Sequence, residues 1–194
     1  MNQPAKLGRP KNKDVRSREH LTPEEIKLIM KQAKKSNHGL RNKLVIWLGY
    51  KHGLRTSELI DLKWKDIDFE KKIILIRRMK NGISCHHPLH PNEILDLQTL
   101  QKDAISEYIF TSQKGGTLSR STVHKIIRDS AKDAGIEFPV HFHMLRHSCG
   151  FSLGKAGMNL EDIQLYLGHQ MIQNTVQYRK FNPENFKKFL SSKP

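Results

Sequence analysis

Apolar residues recur at helical spacing over most of this chain, and the stretches are bounded by residues that start or stop helices. The segment Thr22-Pro23-Glu24-Glu25 predicts a helix start, with Thr22 as the N-cap and Glu25 completing a capping box. A second helix is predicted over about 40–52, where Gly53 stops it, and Thr56 is expected to cap a short third helix. Further helical patterns cover residues 91–101, 119–134, 143–156, 160–167, about 174–181 and about 183–190.

A different pattern, with shorter runs and alternating apolar positions, begins at Trp64 and ends at Leu89. Its three runs cover residues 64–69, 72–77 and 83–89. A charged turn separates the first two runs, and Asn81-Gly82, a pair typical of tight hairpins, precedes the third. The sequence therefore predicts a mainly α-helical fold with a small three-stranded antiparallel β-sheet.

Charge narrows the function classes that such a fold could serve. The chain has 34 Lys and Arg against 19 Asp and Glu, a formal net charge of +15, which indicates a polyanionic partner. The basic residues are spread along the chain and do not line one amphipathic helix, so nucleic acid is favoured over a membrane surface. A basic, solvated surface with no such partner is the alternative that charge alone leaves open.

The sequence lacks the marks of a membrane-bound, exported or disulfide-stabilised protein. No apolar run approaches the roughly 20 residues needed to cross a bilayer, and the first residues, Met1 to Arg18, are polar and basic. Cys85 and Cys149 lie far apart and form no C-x-x-C pair, so neither a disulfide framework nor a zinc site is suggested. We expect a cytoplasmic protein with reduced thiols and no membrane contact.

The chain divides at about residue 20. Residues 1–20 carry six Lys and Arg with almost no apolar side chains, which predicts a flexible basic arm, and residues 21–194 are expected to form one domain. The arm could follow the phosphate backbone or minor groove of DNA, or it could be a disordered tail.

Several residue types suited to phosphate chemistry stand at the ends of predicted helices. Arg55 begins a helix that also carries Glu58, and His143 and Arg146 share a helix face because they are three residues apart. Arginine binds phosphate oxygens bidentately, and histidine can move protons near neutral pH. Each feature alone is more often an ordinary surface or packing residue.

The same holds near the end of the chain. Gly168 is predicted to end a helix and to leave His169 in the following junction, and Tyr178 comes nine residues later. A single tyrosine is far more often a packing or interface residue than a nucleophile.

Taken together, these residues resemble the catalytic domain of the tyrosine recombinases, the phage integrase family. The similarity covers about residues 22–181 and rests on G-L-R-T-S-E at 53–58, K-N-G at 80–82, H-M-L-R-H at 143–147, and L-G-H at 167–169 followed by Tyr178. H-M-L-R-H-S-C-G-F and Y-L-G-H are most similar to the small single-domain recombinases that invert promoter segments in fimbrial phase variation.

The resemblance implies a fold and a mechanism. Tyr178 would attack a DNA phosphate to form a 3′-phosphotyrosine, with Arg55 and Arg146 clamping the phosphate oxygens. His169 would donate a hydrogen bond to the phosphate, and His143 would assist proton removal from Tyr178.

Two further residues receive implied roles. Lys80 would protonate the departing 5′ oxygen, although Arg77 and Arg78 on the same hairpin compete for that assignment. Glu58 would orient the site without transferring protons.

The resemblance also implies partners. It implies no metal and no cofactor, and it implies double-stranded DNA with inverted-repeat sites, a homotetramer on DNA and accessory DNA-bending proteins. The helix predicted in residues 183–194 could exchange between protomers or fold back on its own protomer. Larger family members carry a separate DNA-gripping domain before the catalytic domain, and here a basic segment of about 20 residues stands in its place.

Two rival functions remain open at the level of sequence. A type IB topoisomerase uses the same kind of phosphate clamp and tyrosine but relaxes supercoils as a single protomer. A transcription regulator without catalysis would use residues 119–135 as a recognition helix, although the helix-turn-helix spacing there is poor.

Overall fold

The computed structural model describes residues 18–78, 82–113 and 115–178. Its elements in chain order are α1 Pro23–Ala33, α2 Gly39–Lys51, α3 Thr56–Ile60, a 3-10 turn at Trp64–Asp66, β1 Ile67–Asp68, β2 Ile73–Ile76, β3 Cys85–Pro88, α4 Pro91–Gln101, α5 Arg120–Asp133, α6 His143–Lys155, α7 Leu160–Leu167 and α8 Gln173–Val176. The predicted mainly helical fold with one three-stranded antiparallel sheet is confirmed. Most of the basic arm, Lys80 and the helix predicted at 183–194 lie outside the described residues.

The first helix begins as its sequence predicts. The Thr22 hydroxyl accepts a hydrogen bond from the Glu25 N–H at 3.2 Å, and the Glu25 carboxylate accepts one from the Thr22 N–H at 2.7 Å. This reciprocal pair satisfies two backbone donors that a helix start leaves without partners. Arg18 binds the same carboxylate and so ties the chain before the helix to its first turn.

Two local predictions were wrong in detail. Thr56 is the first residue of α3, and Arg55 is the N-cap; the Glu58 carboxylate accepts the Arg55 N–H at 2.9 Å. Residues 64–66 form a 3-10 turn where a strand was expected, because the Asp66 carboxylate accepts the Lys63 N–H at 3.1 Å and closes the turn. In both places an acidic side chain binds a backbone N–H three residues earlier and decides the local structure.

Helix α2 lies at the centre of the domain. It packs against α1, α4 and α6, and its residues Leu44, Val45 and Leu48 are completely buried. Its C-terminal end lies next to the end of β2 and near the C-terminal end of α7. The ends of three elements therefore meet beside α6, which packs against both α2 and α7.

The sheet has the order β1-β2-β3, with Ile67 opposite Ile74 and Ile76 opposite Cys85. Along β2, Ile74 and Ile76 are buried, which is the alternation of a strand with one face on the core. The alternation continues past the strand end, where the Arg77 side chain is 62% exposed and the Arg78 side chain is enclosed. The sheet thus directs one arginine outward and the next inward.

Helix α6 is fastened to the start of the domain through Ser148. The buried Ser148 hydroxyl accepts a hydrogen bond from the Leu21 N–H at 2.8 Å and donates one to the Met144 carbonyl at 2.8 Å. We predict that Ser148→Ala lowers the free energy of unfolding by about 1–3 kcal/mol, because it leaves a buried N–H without an acceptor. Urea unfolding followed by circular dichroism measures this change. The exposed Ser121 of α5 is the control, and equal losses for Ser148→Ala and Ser121→Ala would contradict the assignment.

Candidate active site

Glu58 is a buried carboxylate at the middle of the candidate site, with 3% of its surface exposed. One of its oxygens accepts a hydrogen bond from Arg55 Nη1 at 2.6 Å, and the other accepts one from Arg78 Nη1 at 2.7 Å. Arg146 Nη1 lies 3.9 Å from that second oxygen. Burial alone would raise the pKa of Glu58, but the charges of Arg78, Arg146 and Arg55 and the Arg55 N–H bond lower it below its usual value. The carboxylate is therefore ionised at neutral pH.

Arg55 and Arg146 differ in how far water reaches them. The Arg55 side chain is 35% exposed at the start of α3, whereas Arg146 on α6 is almost completely buried. Arg146 donates through Nη1 to the Gly53 carbonyl and through Nη2 to the Leu167 carbonyl, both at 2.6 Å. Burial and the charges of Arg78 and Arg55 lower the pKa of Arg146 to about 9, which leaves it protonated at pH 7.

Arg78 is a third arginine of the site, which was considered in the sequence only as a competitor of Lys80. Its guanidinium binds Glu58 and the backbone carbonyls of His52 and Tyr166, and no part of its side chain is exposed. The sequence carried a signal for this position, because Arg78 continues the inward alternation of Ile74 and Ile76. Lys80 follows two residues later and lies outside the described residues.

Tyr178 lies in a small apolar cluster beside α6, formed with Cys149, Ile163 and Leu167, and is 3% exposed. The approach to α6 is close: a Cβ atom at Gly150 would lie 2.6 Å from the phenol ring, and one at Gly154 would lie 2.2 Å from the Tyr178 carbonyl oxygen. Only glycine permits this approach. Burial raises the pKa of Tyr178 to about 12, so the phenol is neutral at physiological pH.

The Tyr178 hydroxyl lies 3.0 Å from His147 Nδ1, within hydrogen-bond distance. The sequence had suggested His143 for this position, and the structure gives the contact to His147. Helix geometry explains the difference, because His147, Gly150 and Gly154 share the face of α6 on which Tyr178 packs. His147 is the last residue of the H-M-L-R-H motif and is not among the residues to which the family resemblance assigns a catalytic role.

His143 is the first residue of α6 and is exposed at the surface. The His143 and His147 rings pack edge to face, with 4.7 Å between centroids. His143 therefore contacts His147, which in turn contacts the Tyr178 hydroxyl. Desolvation on the side that faces the site, together with the charges of His147 and Arg146, lowers the pKa of His143. His143 is thus neutral at pH 7.

His169 follows Gly168, which ends α7 in the left-handed conformation with φ 63°. Its Nδ1 lies 3.0 Å from the hydroxyl oxygen of the buried Thr175, and its ring lies parallel to that of Tyr178 at 6.4 Å between centroids. Burial and the charges of Arg146 and Arg55 lower the pKa of His169 to about 4. The structure thus brings Arg55, Glu58, Arg146, His169 and Tyr178 into one region.

None of the described helices is long and apolar enough to span a membrane. Within residues 18–78, 82–113 and 115–178, no group of three or more His, Cys, Asp or Glu side chains is arranged to hold a metal ion.

Comparison with known proteins gives consistent matches. Type 1 fimbriae regulatory protein FimB of Escherichia coli (strain K12) is 42% identical over 183 residues, which cover 91% of this chain and 92% of FimB. Type 1 fimbriae regulatory protein FimE of the same strain is 38% identical over 176 residues, covering 87% of this chain and 89% of FimE.

The fold also matches solved structures. The crystal structure of XerA recombinase aligns with a TM-score of 0.73 at 26% identity, over 89% of this chain and 64% of that chain. XerH site-specific recombinase, bound to its difH substrate, aligns with a TM-score of 0.73 at 23% identity, over 90% of this chain and 54% of that chain. This chain therefore spans between half and two thirds of these solved recombinases. The model of the phage integrase family matches residues 19–185, and the chain belongs to that family, the tyrosine recombinases.

Proposed function

We propose that this chain cuts and rejoins double-stranded DNA at inverted-repeat sites through a 3′-phosphotyrosine bond to Tyr178. The observation that carries this proposal is the hydrogen bond between the buried Tyr178 hydroxyl and His147, beside a cluster of three arginines around one carboxylate. A phosphodiester under attack gathers negative charge on its non-bridging oxygens, and fixed cations stabilise that charge. Arg55 and Arg146 supply the cations that face the phosphate.

The tyrosine needs a proton acceptor, because its pKa of about 12 keeps the phenol neutral. His147 lies within hydrogen-bond distance of the phenol and takes its proton as the Tyr178 oxygen forms a bond to phosphorus. His143 assists through its contact with the His147 ring. The bond from phosphorus to the 5′ oxygen breaks, and Lys80 gives that oxygen a proton, which leaves a free 5′-hydroxyl that can reverse the reaction.

His169 donates a hydrogen bond to the phosphate in this proposal. A neutral imidazole has one N–H, and its position is set by the partner of the other nitrogen. The proposal requires the Thr175 hydroxyl to donate to His169 Nδ1, so that the imidazole proton is on Nε2 and available to a phosphate oxygen.

The biological setting that we propose is the inversion of a promoter segment in phase variation of fimbriae or other surface structures. The support is the identity of 42% with FimB over 92% of its length. A homotetramer on DNA, joined by the helix predicted at 183–194 and helped by accessory DNA-bending proteins, would act in the cytoplasm. The formal charge of +15 suits the neutralisation of DNA phosphates.

The chemistry is tested by a nicked DNA substrate whose short 5′ product diffuses away and so traps the covalent complex. We predict that the wild-type chain forms a protein–DNA adduct that resists denaturant and that Tyr178→Phe forms none, because the attacking oxygen is absent. Gel electrophoresis of labelled DNA measures the adduct. Tyr108→Phe, at a half-buried tyrosine beside Lys63, is the control and should retain the adduct. An undiminished adduct in Tyr178→Phe would contradict the assignment.

Plasmids distinguish recombination from the topoisomerase alternative. We predict that a supercoiled plasmid with two inverted sites changes the orientation of the intervening segment, as read by restriction digestion. A topoisomerase would relax a one-site plasmid without inverting the two-site plasmid. A transcription regulator would do neither, so each alternative has its own result.

The protonation state of His169 gives a pH prediction. Its lowered pKa means that the folded protein binds this proton less readily than the unfolded chain, so its contribution to stability is present above pH 6.5 and is lost as pH falls toward 4. We predict that its C2 proton resonance, assigned by comparison with His169→Gln, keeps a constant chemical shift between pH 8 and pH 5.5. A titration midpoint near 6.5 would show that the ring does not experience the burial and arginine charges described above.

A further inference from the structure

We propose that Arg78 is a positioning residue for DNA cleavage, which neutralises Glu58 and holds two helix ends so that Arg55 and Arg146 can act on the phosphate. The inference rests on the proposed function and concerns a residue outside the catalytic set implied by the family resemblance. In this proposal Arg78 makes no contact with the substrate, because its guanidinium is bound to Glu58 and to the backbone carbonyls of His52 and Tyr166.

The backbone contacts of Arg78 join parts of the chain that are distant in sequence. Its Nη2 donates to the His52 carbonyl at 3.1 Å and to the Tyr166 carbonyl, and its Nη1 lies 3.4 Å from the Gly53 carbonyl. His52 ends α2, and Tyr166 lies in the last turn of α7. Carbonyl groups at helix C-termini carry partial negative charge and lack helical partners, so a guanidinium is a strong ligand for them.

Arg146 makes the same kind of connection from the other side. It binds the Gly53 carbonyl after α2 and the Leu167 carbonyl at the end of α7. Two guanidinium groups therefore link the same two helix ends. The start of α3, which carries Arg55, follows the first of these ends, and His169 follows the second. A shift at either end would move a residue that faces the phosphate.

Arg78 also contributes to the net positive charge of the site. The Glu58 oxygen that Arg78 binds at 2.7 Å lies 3.9 Å from Arg146 and also accepts the Arg55 N–H, so Arg78 is the cationic side chain in direct contact with it. Three arginine charges less one carboxylate charge leave +2 around the phosphate position. Without Arg78 the balance is +1, and Arg146 becomes the nearest remaining cation for that oxygen.

Gly168 packs closely against the Arg78 side chain. A Cβ atom at this position would lie 2.5 Å from Arg78 Cγ and 2.9 Å from its Nε. The residue that allows α7 to end in a left-handed conformation is thus the residue that leaves room for the guanidinium. The junction leading to His169 lies directly on the Arg78 side chain.

A buried ion pair between Arg78 and Glu58 could also serve only to stabilise the fold. The test must therefore distinguish an effect of Arg78 on charge at the phosphate from an effect on folding. The substrates are two nicked DNAs that differ at the scissile position. One has an ordinary phosphodiester. The other has a methylphosphonate, in which a methyl group replaces one non-bridging oxygen and the negative charge is absent. The measured quantity is the rate of Tyr178 adduct formation on each, with protein shown to be folded by circular dichroism. Lys71→Met is the control, because it also removes one positive charge and the Lys71 side chain is 75% exposed at the turn between β1 and β2.

We expect Arg78→Met to slow adduct formation on the phosphodiester by about 100-fold and to slow it far less on the methylphosphonate. Lys71→Met should change neither rate by more than about twofold. An equal loss on both substrates, or no loss on the phosphodiester, would overturn the electrostatic part of the proposal.

Arg78→Lys tests the positioning part and keeps the charge, so it serves even if Arg78→Met does not fold. Lysine lacks the planar fork that binds Glu58 and the helix ends together, so both rates should fall about tenfold with their ratio unchanged. Wild-type rates on both substrates would overturn this part. Failure of the wild-type chain and of Lys71→Met to form any adduct would count against the proposed function and not against Arg78.

Discussion

The ion cluster around Glu58 is the interaction on which the arrangement of the site depends. A carboxylate that is 3% exposed is costly to bury unless cations bind it, and three buried or half-buried arginines would repel one another without it. The cluster joins the start of α3, the end of β2 and the first turn of α6, which are far apart in the chain. The three arginines therefore come together around Glu58 only when these parts of the chain pack against one another.

The cluster also sets the protonation of its neighbours. Burial and the surplus positive charge lower the pKa of His169 to about 4, and the pKa of His143 is lowered in the same direction. Tyr178 stays neutral for a different reason, because apolar packing raises its pKa to about 12. In the free protein the site thus combines neutral proton carriers with fixed cations, which suits an anionic phosphodiester. Tyr178 is 3% exposed, so the proposed function requires DNA binding to expose the phenol to the phosphate.

Much of the fold could be predicted from local chemistry. The capping box at Thr22 and Glu25 and the helices at 91–101 and 160–167 were found at their observed positions, since turn-scale hydrogen bonds and Gly168 define them. The prediction failed at Trp64–Asp66, where the bond from the Lys63 N–H to Asp66 outweighs the alternating pattern. That bond depends on a buried Asp66, which is a tertiary property.

The site was predicted only in part. Five of its residues could be chosen from motifs that lie at helix ends which meet in the fold: Arg55, Glu58, Arg146, His169 and Tyr178. The contact of His147 with Tyr178 depends on which face of α6 receives the chain after α7, and sequence spacing alone does not determine that face. Arg78 had a local signal in the alternation of β2, but its ligands come from α2, α3 and α7.

The most direct test of the account is to identify the residue that is joined to DNA. The trapped complex would be digested with nuclease and trypsin, and the peptide of residues 156–179 would be sequenced by mass spectrometry. That peptide contains both Tyr166 and Tyr178, so fragmentation between them assigns the modified residue. The account predicts a nucleotide attached through its 3′ phosphate to Tyr178, and attachment to Tyr166 or to a residue outside this peptide would contradict it.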